Sequence, residues 1–118
     1  MAQHNDTGKE GEEMAVQFLV KKGYRIVSRN FRYKKSEIDI IAIKDKTIAF
    51  VEVKTRTNAF FQEPELSVTR SKQKKITLGA NYYIQKNDID LDIRFDIITI
   101  TLFGNTINHI EDAFYQLV

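Results

Sequence analysis

The chain of 118 residues contains no cysteine. That excludes disulfides, thiolate zinc centres and cysteine nucleophiles, and it fits a reducing cytosol. Histidine is almost as scarce. His4 and His109 stand near opposite ends of the chain and form no local zinc motif, and neither is assigned a role. No stretch approaches the roughly 20 apolar residues that a membrane helix needs. The polar opening from Met1 to Asp6 has no apolar run flanked by basic residues, so no signal peptide is visible. These absences predict a soluble, cytoplasmic protein with no membrane partner, its residues 1–6 flexible. Proline occurs once, at Pro64, and there is no repeat, low-complexity tract or linker.

What is present suffices for one packed domain over 1–118. The hydrophobic fraction is 42%, with eight Phe and five Tyr. Net charge is only +2, but the charges are segregated. Met14 to Ser36 and Leu66 to Asn87 hold no acid and many Lys and Arg. Such a distribution can build a phosphate-facing surface on a nearly neutral protein, although solvated helix faces explain the runs equally well.

Thr7 and Glu10 have the spacing of a capping box, and Ala15, Phe18 and Leu19 follow at helical intervals to Gly23, so a helix is expected from about Gly8 to Lys22. Tyr24 to Phe31 reads as a strand and Tyr33 to Ser36 as a turn. Glu37–Ile43 and Thr47–Lys54 are rich in Ile, Val and Phe and flank Asp45-Lys46, a hairpin signal. Thr55 to Ser67 reads as a loop. A second helix is expected over Thr69–Gln85, a strand over Ile93–Leu102, and a short strand near Thr106–Ile110. The tail is expected to pack through Phe114 and Leu117. Helix two is long enough to return the chain parallel to the third strand. The order predicts an α/β fold, a mixed β-sheet flanked by helices.

The chemically informative stretch is Glu37-Ile38-Asp39 followed by Glu52-Val53-Lys54. Alternation puts Glu37 and Asp39 on one face of their strand, and Glu52 and Lys54 on one face of the next. A symmetric turn at Asp45-Lys46 sets Lys44 opposite Thr47, which brings Asp39 opposite Glu52 and Glu37 opposite Lys54. Opposed carboxylates cost roughly 0.2–1 kcal/mol across a sheet, and more when buried. A divalent cation removes that conflict, and hard oxygen ligands suit Mg²⁺ or Mn²⁺. Lys54 beside them can stabilise charge growing on a phosphate. This is what phosphodiester hydrolysis needs. A surface hairpin with alternating, weakly paired charges is the bland explanation of the same spacing.

The stretches Gly8-Lys9-Glu10-Gly11-Glu12, Glu37-Ile38-Asp39, Phe50-Val51-Glu52-Val53-Lys54-Thr55-Arg56 and Arg94-Phe95-Asp96 together resemble the bacterial YraN family of endonucleases. That family is similar to the archaeal Holliday junction resolvases and to the PD-(D/E)XK nucleases, whose restriction-endonuclease-like core is αβββαβ. The resemblance implies a single nuclease-like domain with Asp39, Glu52 and Lys54 as catalytic residues. It implies Glu12, Asp39, Glu52 and the Val53 carbonyl as metal ligands. Ser36 departs from the family's usual glycine, and Ile38 replaces the proline of the PD motif.

Around this centre, Glu37 is expected to partner Lys54. Arg56, Arg70, Lys72 and Gln73 are expected to contact nucleic acid, the latter pair near the positive end of helix two. Arg94 and Asp96 share a strand face and suit a structural ion pair; Tyr82 and Tyr83 suit packing. The expected activity is a divalent-metal-dependent endonuclease acting on DNA, branched or otherwise structured DNA included, with RNA as a weaker option. The competing class is a non-catalytic nucleic-acid-binding or assembly protein that keeps the fold. A homodimer is expected only by analogy with the resolvases.

Overall fold

In the computed structural model, residues 3–56 and 68–115 are described, with side chains from residue 8 onward. The chain runs α1 (Gln3–Lys21), β1 (Arg25–Tyr33), β2 (Ser36–Lys44), β3 (Thr47–Arg56), α2 (Arg70–Lys86), β4 (Asp92–Thr101) and β5 (Thr106–Phe114). The α/β class and the αβββαβ order read from the sequence hold, with β5 added. The strands lie in chain order in one sheet. β1–β2, β2–β3 and β4–β5 are antiparallel, and β3–β4 is parallel because α2 carries the chain back across the sheet.

Each helix covers one face. Alternation along β3 sends Ala49 and Val51 to α1, where they pack with Ala15, Leu19 and Ile98. It sends Ile48 and Phe50 to α2, where they meet Ile76, Ala80 and Phe95. α1 stops at Gly23, whose φ of 98° is accessible to glycine. The Gly23 N–H bonds Val20 O and the Tyr24 N–H bonds Leu19 O, so the last carbonyls are satisfied. α2 starts where expected, its N-cap Thr69 accepting the Lys72 N–H at 3.2 Å.

Several boundaries differ from the sequence reading. α1 begins at Gln3, so Thr7 lies inside the helix and the expected capping box at Thr7 and Glu10 is not its start. β3 continues through Thr55 and Arg56, which were expected in a loop; residues 57–67, including Pro64, lie outside the described part, as does Leu117. β5 runs on to Phe114, past the expected end at Ile110, because Phe114 is buried and stacks on Phe95 at 5.2 Å between ring centroids. Among the described residues no helix is long and apolar enough to cross a membrane.

Candidate metal and phosphate site

The β2–β3 hairpin closes in the register that places Lys44 opposite Thr47, and its regular pairing reaches Ile40 opposite Val51. Asp45 adopts the left-handed turn conformation, φ 54°, which Asp tolerates well. At Asp39 the strand changes character. Ile40 packs on the α1 side, yet Ile38, two residues earlier, packs on the α2 side. Perfect alternation would put both on one face, so β2 rolls over about Asp39. The Asp39 carboxylate then replaces a strand carbonyl as acceptor, taking the Val53 N–H at 2.8 Å on Oδ2. The N–H and C=O of a strand residue point to the same side, so the Val53 carbonyl is also turned toward β2.

Glu52 follows Phe50 on the α2 face and is 4% exposed. A buried carboxylate needs a partner, and among the described residues Glu52 has two: Lys72 Nζ at 2.9 Å and Lys54 Nζ at 3.8 Å. Burial, reinforced by the Glu52 charge, raises the Asp39 pKa to about 7. The Val53 N–H and Lys72 oppose that rise, and Glu12 adds to it. Burial alone would lower the Lys72 pKa, but its hydrogen bond and attraction to Glu52 outweigh this and hold it above the ordinary value.

The other expected residues fall into three groups. Glu12 stands near enough to act on Asp39, yet its carboxylate is engaged by Asn30 at 3.1 Å and Arg29 at 3.4 Å. α1 approaches β3 closely here: a Cβ on Gly11 would lie 2.0 Å from Thr55 Oγ1. Among the described residues no three Asp, Glu, His or Cys side chains are grouped closely enough to hold a metal, so Glu12 is outside the pair in this conformation. Glu37 bonds Arg32 at 3.5 Å instead of Lys54. The reason is that β2 before Ile40 continues its pairing only with β1, where Glu37 lies opposite Arg32. Gln73 uses its amide to hold Val68 O at 3.0 Å, a structural contact at the start of α2. Arg56 ends β3 and Arg70 opens α2, exposed.

The donors present suit a hard cation. Mg²⁺ commonly uses one or two carboxylates and keeps its waters, and here two carboxylates with clashing charges sit beside a strand carbonyl turned their way.

A second polar system occupies the α1 face. Asp96 is fully buried and receives Arg94 Nε at 2.9 Å and Arg94 Nη2 at 2.8 Å, His109 Nε2 at 2.8 Å and the Asp112 N–H at 3.0 Å. Burial pushes its pKa up, but these donors win and hold it low. Arg94 also bonds the Tyr24 hydroxyl. Lys22 Nζ lies 2.8 Å from His109 Nδ1, which assigns the proton to Nε2, facing Asp96. The expected Arg94–Asp96 ion pair is therefore present at 2.8 Å. The part of His109 was missed: it is reached only across the β4–β5 hairpin, and neither helical nor strand periodicity marks it.

The sequence matches the family described as "Uncharacterised protein family UPF0102" over residues 11–100. A UPF0102 protein of Flavobacterium psychrophilum is 47% identical, with 98% of this chain and 99% of that one covered. One from Phocaeicola vulgatus is 47% identical over 98% of this chain and 97% of its own, and one from Geobacter metallireducens is 45% identical over 97% of each. Among solved structures, SfsA of Pyrococcus furiosus in complex with Ca²⁺ is similar at a TM-score of 0.38 and 17% identity, covering 92% of this chain and 63% of that one, a likeness too slight to carry an argument. With most of the chain matched by the family and near-complete relatives at this identity, the protein belongs to the UPF0102 family.

Proposed function

We propose that this protein is a divalent-metal-dependent nuclease that hydrolyses phosphodiester bonds in DNA. The observation that supports it best is the half-buried Asp39 beside the buried Glu52, with Lys54 and Lys72 at their edge. Such a pair opposes folding unless something cationic offsets it. Asp39, Glu52 and the Val53 carbonyl would hold Mg²⁺ or Mn²⁺, which when bound polarises a phosphate and lowers the pKa of a water. The residues of the chain supply the rest. Lys54, on the face of Glu52, places an ammonium where negative charge grows on the phosphate oxygens. The Val53 N–H fixes the Asp39 carboxylate so that no reorientation precedes the reaction. Lys72, Arg56 and Arg70 offer positive charge to the flanking phosphates.

One observation favours the second reading, a nucleic-acid-binding protein that keeps the fold without cutting. Arg29 and Asn30 engage Glu12 and leave two carboxylates where three were expected. The experiment is incubation of the protein and its Asp39→Asn variant with labelled duplex, single-stranded, flap and four-way DNA, and with RNA, in Mg²⁺ or Mn²⁺. Cleavage by the parent and none by the variant is expected. Binding without cleavage of any substrate in either metal would establish the second reading instead.

A further inference from the structure

Lys72 faces two ways. Its ammonium reaches the buried Glu52 at 2.9 Å, closer than Lys54 at 3.8 Å, although the Lys72 side chain is 45% exposed. The same residue lines a groove of about 370 Å³ between the β1–β2 turn and the start of α2. Lys35 and Lys75 line it with Lys72, together with the hydroxyl-bearing Thr69 and Ser71. Among the described residues the one acid there is Glu37, which is paired with Arg32 at 3.5 Å, and the first turn of α2 carries no acid. Lysine is a compact charge on a flexible stem, so small rotations carry it between neighbours a few ångströms apart.

We infer that Lys72 is an exchangeable counter-ion: it neutralises Glu52 in the metal-free protein and moves to a nucleic-acid phosphate in the Lys35–Lys75 groove when a divalent cation binds the carboxylates. The inference rests on the metal-site reading above and adds to it a coupling. Cation and ammonium compete for the same carboxylate oxygens. A phosphate that draws Lys72 into the groove therefore tightens cation binding, and by reciprocity the cation tightens nucleic-acid binding. Lys72 is in this sense a positioning residue, and its effect is read in metal affinity.

The test is calorimetric Mn²⁺ titration of the parent, Lys72→Met, Lys72→Gln and Lys75→Met, each with and without a short phosphorothioate DNA that resists cleavage. Without DNA, both Lys72 variants should bind Mn²⁺ about tenfold more tightly, the loss of one competing charge-assisted hydrogen bond. The DNA should tighten Mn²⁺ binding to the parent by a larger factor than it does in either Lys72 variant, where only the direct contact of metal with phosphate remains. Lys75→Met should weaken DNA binding and leave Mn²⁺ affinity in free protein unchanged. Parent-like Mn²⁺ affinity in both Lys72 variants overturns the exchange while leaving the metal site standing. No Mn²⁺ binding by the parent overturns both. Circular dichroism of each variant identifies any that misfolds, and the Met and Gln replacements serve as each other's check.

Discussion

Asp39→Asn should make the metal-free protein more stable at alkaline pH. The perturbation removes the charge of the half-buried Asp39 beside the buried Glu52 while keeping an oxygen to accept the Val53 N–H. Asp39 is raised from 3.8 to about 7 in the folded state. Between those values the native protein holds a proton that the unfolded chain has lost, so stability falls as pH rises through the window. The penalty is complete above pH 7 and absent below pH 3.8. From pH 5.5 to pH 8 the linkage amounts to ~2 kcal/mol. At about 4 °C per kcal/mol for a domain of this size, the midpoint should fall by roughly 8 °C through this group. The assay is thermal unfolding by circular dichroism in EDTA at both pH values, comparing parent with variant. The difference between the two proteins isolates Asp39 from other groups that titrate in the same range. The variant should gain on the parent as pH rises, and excess Mn²⁺ should erase that gain by stabilising the parent. An equal midpoint difference at both pH values, or a variant less stable than the parent at pH 8, would refute the repulsion argument.

Lys54→Ala should slow cleavage by about 10²–10³ while retaining Mn²⁺ affinity, checked by single-turnover assay and calorimetry; undiminished cleavage removes Lys54 from the chemistry. Gly79→Ala should cost about 1–3 kcal/mol in urea unfolding, because the new Cβ would lie 2.2 Å from Ser36 Oγ. Adding Ser36→Gly should recover much of that loss, and its failure to do so would show that the contact is not the cause. Asp96→Asn should destabilise by about 3–5 kcal/mol, since it leaves the Arg94 guanidinium without its buried counter-charge; a loss below about 1 kcal/mol would mean that Glu111, at 3.9 Å, takes over the pairing.

The hairpin was the most legible part of the sequence. Two β-rich runs around Asp45-Lys46 fix a register that carries Asp39 toward Glu52, and the structure keeps that register to Ile40 and Val51. The reading failed where it extended strict alternation beyond that point. The roll of β2 at Asp39 breaks the alternation, so Glu37 goes to Arg32 instead of Lys54. Lys72 was visible as a basic residue at a helix start, but its contact with Glu52 depends on how α2 docks on the sheet, which no local pattern encodes. Ser36 looked like a mere turn substitution. Its hydroxyl is in fact buried against Gly79 with no hydrogen-bond partner among the described residues. His109 was invisible for the same reason as Lys72, since its partners Asp96 and Lys22 come from distant elements.

The parallel pairing of β3 with β4 has a consequence for the order of folding. The β2–β3 hairpin closes over two residues, so it is an early and inexpensive event. β4 can join β3 only after α2 has crossed over, which requires a long loop to close first. Asp39 and Glu52 therefore meet while water still surrounds them and screens their charges. The electrostatic cost arises later, when α2 brings its core face onto Phe50 and shuts Glu52 away from solvent. Lys72 rides on that same helix, so the element that buries the carboxylate also delivers its counter-charge.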